Sequence, residues 1–260
     1  MKNYSNKKLL FITLILLTSI AITAFSIDKS PQKKRSVVFL ITKDTNNYEA
    51  HRTIPKFAAL LEKEHGYKTT VLLGTGTHGD YRYESVDAIK EADLLIIMAR
   101  RIALPHDQMQ TIKNYVSSGK PVIGIRTAHH AFHVMETIQD GHEDWPAFTA
   151  DILGCENKGY GPHDAGYEVS TVSEAASHPI LKNVAPSNWH SKGGIYHVQL
   201  LDKNATVLLK GEVEGKTEPI AWTRTAGKNK VFYISMGYPD DFETEHFRRL
   251  LINGIKWAIQ

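Results

Sequence analysis

Apolar positions fall along this chain in two rhythms. Ser36–Thr42 (SVVFLIT), Leu94–Ala99 (LLIIMA) and Pro121–Arg126 (PVIGIR) are short apolar runs, and Lys68–Leu73 reads as a strand between the first two. Runs of that length, rich in β-branched residues, predict strands buried on both faces. Between them the period lengthens. Phe57, Ala58, Leu60 and Leu61 recur at helical spacing within Pro55–His65, and Gly66 stands where a helix would end. Val86–Ala92 predicts a short helix. Another starts at Pro105 and ends at Gly119, with proline in the first turn and glycine past the last. Strand and helix thus alternate up to Arg126, the pattern of a parallel sheet with helical crossovers.

The rhythm then changes. Asp140–Asp164 is polar, rich in glycine, histidine and aromatic residues, and reads as a loop. Tyr167–Val172, Thr206–Leu209, Pro219–Arg224 and Val231–Ser235 are strands separated by turn residues, an antiparallel signature. Phe242–Ile259 predicts a closing helix with Phe247, Leu250, Leu251, Ile255 and Ala258 on one face. The expected fold is α/β: a mixed, mainly parallel central sheet flanked by helices, with an antiparallel C-terminal part.

Composition narrows the compartment more than the chemistry. The 260 residues are 42% apolar and 23% charged, enough for a core of useful size. The net charge of +3 is carried by Lys2, Lys7 and Lys8, and no Lys/Arg run follows that would suit nucleic acid. Those lysines precede a 14-residue apolar run, Leu9–Ile22, and Ala24-Phe25-Ser26 supplies small residues at a cleavage site. Residues 1–26 therefore read as a secretory signal peptide, 27–35 as a linker and 36–260 as the folded domain. The run is shorter than the roughly 20 residues of a membrane span. Export to the periplasm or the outside, with no membrane partner after cleavage, is the expectation. Cys155 is the only cysteine, so no intramolecular disulfide forms, and it reads as a small buried hydrophobe.

In open parallel sheets ligands sit beyond the carboxyl ends of the strands. Four loops qualify: Asn46-Asn47-Tyr48-Glu49, Arg100-Arg101, Thr127–His133, and Gly237–Asp241. The third has the strand–turn–helix context of a nucleophile elbow, framed as Gly124-Ile125-Arg126-Thr127-Ala128. Thr127 is its only hydroxyl and no cysteine is near, which argues against a glutaminase. The same loop holds His129, His130 and His133, whose spacing puts pairs on one helical face. These can hold a divalent metal, with His163 or with His142, Glu143, Asp144, Asp164 and His197 as further ligands. They serve equally as acid–base groups or as structural histidines. Arg126 and Arg100 can fork onto a carboxylate or a sugar diol, or cap helices, or pair with Asp240 or Asp241. Gly74–Gly79 resembles a phosphate loop only by composition and lacks its Lys-Ser/Thr ending, so no nucleotide is expected. Tyr48, Trp145, Tyr160, Trp189 and Tyr196 are loop aromatics suited to stacking on sugars or to ordinary packing.

At this point the order of motifs becomes familiar. Leu104-Pro105 with Gln108-Met109, Gly119–Phe132, His178–Leu181, Glu218–Arg224, and Gly237-x-Pro239-Asp240-Asp241-Phe242 followed by Phe247–Leu251 resemble the ThuA-like (trehalose utilisation) family across residues 36–260. The resemblance implies a class I glutamine amidotransferase-like, flavodoxin-like fold whose elbow lacks the amidotransferase cysteine. It implies a part in disaccharide or keto-sugar metabolism, with a small-molecule carbohydrate as partner and a homo-oligomer open. It carries over Arg126, Thr127 and His130 at the elbow, Arg100 after the third strand, and Asp240-Asp241. With Tyr48 and Glu49 added as substrate-binding, the expected chemistry is a hydrolase- or lyase-type carbohydrate reaction using histidine acid–base or metal-assisted steps. The alternative is a non-catalytic sugar-binding module. Where the family often has Gly-His-Pro-Asp-Asp, position 238 is Tyr, so no role carries over there.

Overall fold

The computed structural model describes residues 33–163, 165–184 and 188–260. The signal peptide expected at 1–26, most of the linker, and the candidate ligand Asp164 lie outside the described residues. Among the described residues no helix is long and apolar enough to cross a membrane.

In chain order the elements are β1 (Ser36–Ile41), α1 (Ala50–His65), β2 (Lys68–Leu73), β3 (Thr75–Thr77), β4 (Asp80–Arg82), α2 (Asp87–Lys90), β5 (Leu94–Met98), β6 (Leu104–Pro105), α3 (His106–Ser117) and β7 (Val122–Ile125). There follow β8 (His142–Glu143), β9 (Cys155–Tyr160), β10 (Tyr167–Thr171), β11 (Trp189–Ser191), β12 (Tyr196–Leu200), β13 (Thr206–Val213), β14 (Lys216–Ala226), β15 (Asn229–Ile234), α4 (Pro239–Glu243) and α5 (Glu245–Ile259). Nine strands form the main sheet in the order β11-β10-β13-β14-β15-β7-β5-β1-β2. From β15 to β2 every pairing is parallel; from β15 to β11 every pairing is antiparallel.

The apolar runs are explained by two-sided burial. In β1, Val37, Phe39 and Ile41 face the core beneath α1 and α5, while Val38 and Leu40 face the core beneath α2 and α3. A strand with no solvent face cannot alternate apolar with polar. Strand order reverses beside β1: the chain steps outward to β2, then returns on the other side to β5. That reversal opens a crevice beyond the carboxyl ends of β1 and β5.

Four local readings change. The first helix begins at Ala50, before Pro55, because Ala50, Thr53 and Ile54 are buried and offset the one helical bond that proline forgoes. Gly74–Asp80 contains β3, which pairs with β4 as a hairpin. The closing helix is two, since Thr244 is extended (φ −87, ψ 139) between α4 and α5. Asp140–Asp164 is not one loop: it holds a π-turn at Thr149–Leu153, and β9, which pairs with β12 in a separate two-stranded ribbon.

Candidate functional site

The site is built where three parallel strands end. Asn47, fully buried, donates from Nδ2 to the Thr42 carbonyl (2.9 Å), Thr42 Oγ1 (3.0 Å) and the Met98 carbonyl (2.8 Å). Its Oδ1 accepts from Thr127 Oγ1 at 2.5 Å. One side chain thus ties the ends of β1, β5 and β7 together. The Thr127 hydroxyl is committed to that bond, and Thr127 does not line the adjacent cavity.

The elbow turns at Arg126. Ile125 is still extended, and Arg126 enters a 3-10 turn, Arg126–His130, with φ of 43°. A left-handed conformation is costly for a side chain this large and persists where packing imposes it. Gly124 makes room: a Cβ there would meet Tyr233 Cδ2 at 2.9 Å and Leu153 Cδ2 at 3.1 Å. The elbow apex, one residue earlier than the hydroxyl-based reading put it, therefore carries a guanidinium.

That guanidinium is 1% exposed. Nη1 donates to the Ser235 carbonyl (2.9 Å) and Nη2 to the Gly194 carbonyl (3.2 Å), while buried Nε has no partner among the described residues. Its Cζ lies 3.9 Å from the ring centre of Tyr48, 4.9 Å from Tyr196 and 5.2 Å from Tyr238. Burial works against its charge, but the oxygens of Tyr196, Tyr48 and Tyr167 outweigh that and hold its pKa above the ordinary arginine value. Gly193 permits the approach, since a Cβ there would meet Tyr238 Cδ2 at 2.7 Å and Arg126 Nη2 at 3.1 Å.

A cavity of about 320 Å³ opens over Arg126. The loop after β1 brings Asn46 and Tyr48, the loop after β5 brings Arg100 and Arg101, and the elbow brings His130. The β9–β12 ribbon and its flanks close the other side with Tyr160, Gly161, His163, Gly194, Ile195 and Tyr196. Three of the seven positive-φ non-glycine residues among the described residues, Tyr48, Arg101 and Arg126, line it. Strain concentrated around one cavity is a mark of a functional site.

His130 is buried with Nδ1 unpartnered among the described residues, its ring 4.7 Å from that of His129 and 6.1 Å from that of Tyr196. Burial, then neighbouring His129 and the charges of Arg101, Arg100 and Arg126, push its pKa well below the usual histidine range. Burial above all holds His129 down to about 3. Both imidazoles are therefore neutral at physiological pH, and each retains an acceptor nitrogen.

The expected residues divide. Arg126, His130, Arg100, Tyr48 and His163 are brought to the cavity. Glu49 is not: it points to solvent and pairs with Arg52 at 3.2 Å. Asp240 pairs with Lys192 at the surface (2.6 Å), and Asp241 accepts from the Gly237 and Tyr238 amides (2.9 and 2.8 Å) at the start of α4.

The metal ligands expected at His129, His133 and His163 do not converge. The 3-10 turn stops at His130, so the i, i+4 face assumed for His129 and His133 never forms, and His133 is exposed. His142 lies beside Asp80 (3.1 Å), Glu143 pairs with Lys113 (2.7 Å), and His197 pairs with Glu218 (2.8 Å). Asp144 Oδ2 accepts from the Val134 amide at 3.4 Å. Among the described residues no group of three or more His, Cys, Asp or Glu is placed to hold a metal ion. The expected histidines, as placed among the described residues, do not form a donor set for a metal ion.

Residue chemistry alone marks Arg101 only as the neighbour of Arg100 and gives the Gly193-Gly194 pair no role. The adjacent glycines in Ser191-Lys192-Gly193-Gly194 were the available signal.

Fold and site together define a mixed α/β protein, mainly parallel in its N-terminal part, in which a buried arginine occupies the tight turn after β7. The chain belongs to the ThuA family, described as trehalose utilisation, which matches residues 37–258. It is similar in structure to a thua-like protein from Bacteroides uniformis ATCC 8492, with TM-score 0.64, 17% identity, and coverage of 86% of this chain and 91% of that one. A thua-like protein from Parabacteroides merdae ATCC 43184 is similar at TM-score 0.61 and 16% identity, covering 87% and 91%. The cold-adapted beta-galactosidase from Rahnella sp. R3 shares the fold at TM-score 0.52 and 13% identity, over 84% of this chain but 31% of that one. A search of the curated proteins returned no match.

Proposed function

We propose that this protein is exported and acts on a disaccharide or keto-sugar in a hydrolase- or lyase-type reaction, with His130 as the acid–base group. The observation that carries the reading is a second cavity, of about 500 Å³, bordering the first across Arg101, His130 and Tyr160. We read the two as neighbouring subsites for a two-ring ligand, with His130 on their common border. Neutral His130 accepts a proton from a hydroxyl or from a carbon beside a ketone, and Arg126 and Arg100 orient the oxygen on which negative charge develops. Glutaminase chemistry has no support. Arg126 takes the elbow, and burial pushes the Cys155 thiol up to about 12, far from a thiolate.

A non-catalytic sugar-binding module is the second reading. What favours it is the depression of the His130 pKa, which makes a weak base, together with the committed Thr127 hydroxyl. Product analysis with neutral disaccharides and their keto derivatives separates the two. His130→Gln is expected to lower turnover about 10²- to 10⁴-fold with an unchanged melting temperature. An unchanged rate in the folded variant removes His130 from the mechanism. Binding by the unmutated protein without any turnover establishes the module instead.

A further inference from the structure

The side chains around the smaller cavity are unbalanced in charge. Arg100, Arg101 and Arg126 line it, and no carboxylate of the described residues does. Arg100 is partly offset by Asp44 at 3.4 Å, which is itself held by His78 at 2.8 Å. Arg101 has no such offset among the described residues: its Nη1 donates to the His133 carbonyl at 3.2 Å. Arg126 donates to the Ser235 and Gly194 carbonyls and has a side-chain interaction with Tyr48, while its buried Nε has no partner among the described residues. Buried Asp241 offsets the Arg126 charge through space, but it bonds the Gly237 and Tyr238 amides and does not line the cavity, and a buried guanidinium not directly paired is a costly arrangement. Carbonyl dipoles and tyrosine faces compensate it in part. A full negative charge in the cavity would complete it.

We propose that the cavity takes a small molecule carrying an oxyanion group, a carboxylate or a phosphate, on a sugar-sized body, with Arg126 and Arg101 at the anionic end. The sugar-sized body rests on the carbohydrate reading above; the anion rests on the arginines alone. Guanidinium donors suit both oxyanions because their paired N–H groups match two oxygens at once. Tyr160, half exposed at 50%, and Tyr196 supply the apolar faces against which a ring lies. A neutral sugar brings no negative charge to the three arginines that line the cavity, so it gains nothing from the feature that distinguishes it.

Titration calorimetry on the purified protein tests this with five probes: glucuronate, its uncharged methyl ester, glucose, glucose 6-phosphate and inorganic phosphate. Either acidic sugar is expected to bind about 10- to 100-fold more tightly than glucose and the methyl ester, the range for hydrogen bonds to a charged group. The stronger of the two identifies carboxylate or phosphate. Added salt is expected to narrow the gap. Arg126→Gln is expected to abolish it. Arg101→Gln, a change at a partly exposed position, is expected to narrow it about tenfold with an unchanged melting temperature, and decides the matter if the Arg126 variant does not fold. Equal affinity for charged and uncharged rings overturns the proposal. Turnover of neutral disaccharides without anionic preference also overturns it while leaving the carbohydrate reading standing. Inorganic phosphate binding as tightly as glucose 6-phosphate keeps the anion site and overturns the sugar-sized body.

Discussion

Acidification from pH 7.5 to 5 is expected to cost this protein about 2 kcal/mol of stability through His129 alone. His129 is 2% exposed, so no solvent screening discounts the effect. Burial first, then the charges of Arg101 and Arg126, hold its pKa at about 3 against an ordinary value of 6.5, with a hydrogen bond to the Arg126 backbone opposing them. Between those two values the unfolded chain binds a proton that the folded chain refuses, so stability falls as pH falls. The contribution is complete above about 6.5 and is lost progressively toward 3. At pH 5, about 1.5 pH units below the ordinary value, the loss is about 2 kcal/mol at 1.36 kcal/mol per unit. His130 is depressed in the same direction and adds to it. Urea unfolding at both pH values, for the unmutated protein and for His129→Gln, isolates the effect. The lowered histidines elsewhere, His65, His178 and His246, are common to both proteins and cancel. The variant is expected to lose about 2 kcal/mol less on acidification. An identical pH dependence in both proteins refutes the argument that a buried, neutral imidazole pair stands beside the arginines.

Two further substitutions probe how the elbow is held. Asn47→Ala removes the partner of four hydrogen bonds and leaves the Thr42 and Met98 carbonyls and the Thr127 hydroxyl buried and unpaired. A stability loss of about 3 kcal/mol or more is expected by chemical denaturation, and a loss below about 1 would show that water replaces the side chain. Gly193→Ala forces a methyl group against Tyr238 and the Arg126 guanidinium, at an expected cost of about 1–3 kcal/mol. Ligand affinity is expected to fall about tenfold with it, measured by calorimetry against the unmutated protein, because the guanidinium must shift. Retained affinity would mean that Tyr238 alone absorbs the methyl.

The parallel half was legible because burial on both faces leaves no other way to write a strand: β5 and β7 are apolar throughout, and β1 is apolar after Ser36. The β9–β12 ribbon was not. Cys155–Tyr160 reads CENKGY, buried strongly only at its first residue, and its partner strand lies far along the chain. Yet that ribbon supplies one whole wall of the cavity. At the elbow, residue chemistry and backbone geometry point to different positions. A search for a hydroxyl selects Thr127, whereas the positive φ falls on Arg126, a property no side chain announces. Asp241 illustrates the converse difficulty. An aspartate after a terminal strand suits ligand binding and amide capping alike, and here its Oδ2 accepts two backbone amides. The histidine spacing misled for a similar reason, since a 3-10 turn aligns different residues from an α-helix.

The position of β15 has a consequence for how the chain is made. β15 lies between β7 and β14, with Phe232 beside Ile123 on one side and Thr223 on the other. During synthesis β7 is complete long before Asn229–Ile234 leaves the ribosome. Until then its outer edge is an open row of amides and carbonyls within an apolar strand, the kind of surface that invites pairing with another chain. The same interval delays the Ser235 carbonyl that receives Arg126, so the elbow arginine has no seat until the last strand is in. Translation order and sheet order run out of step, and the cost falls on the nascent chain, which needs its middle shielded until its end arrives.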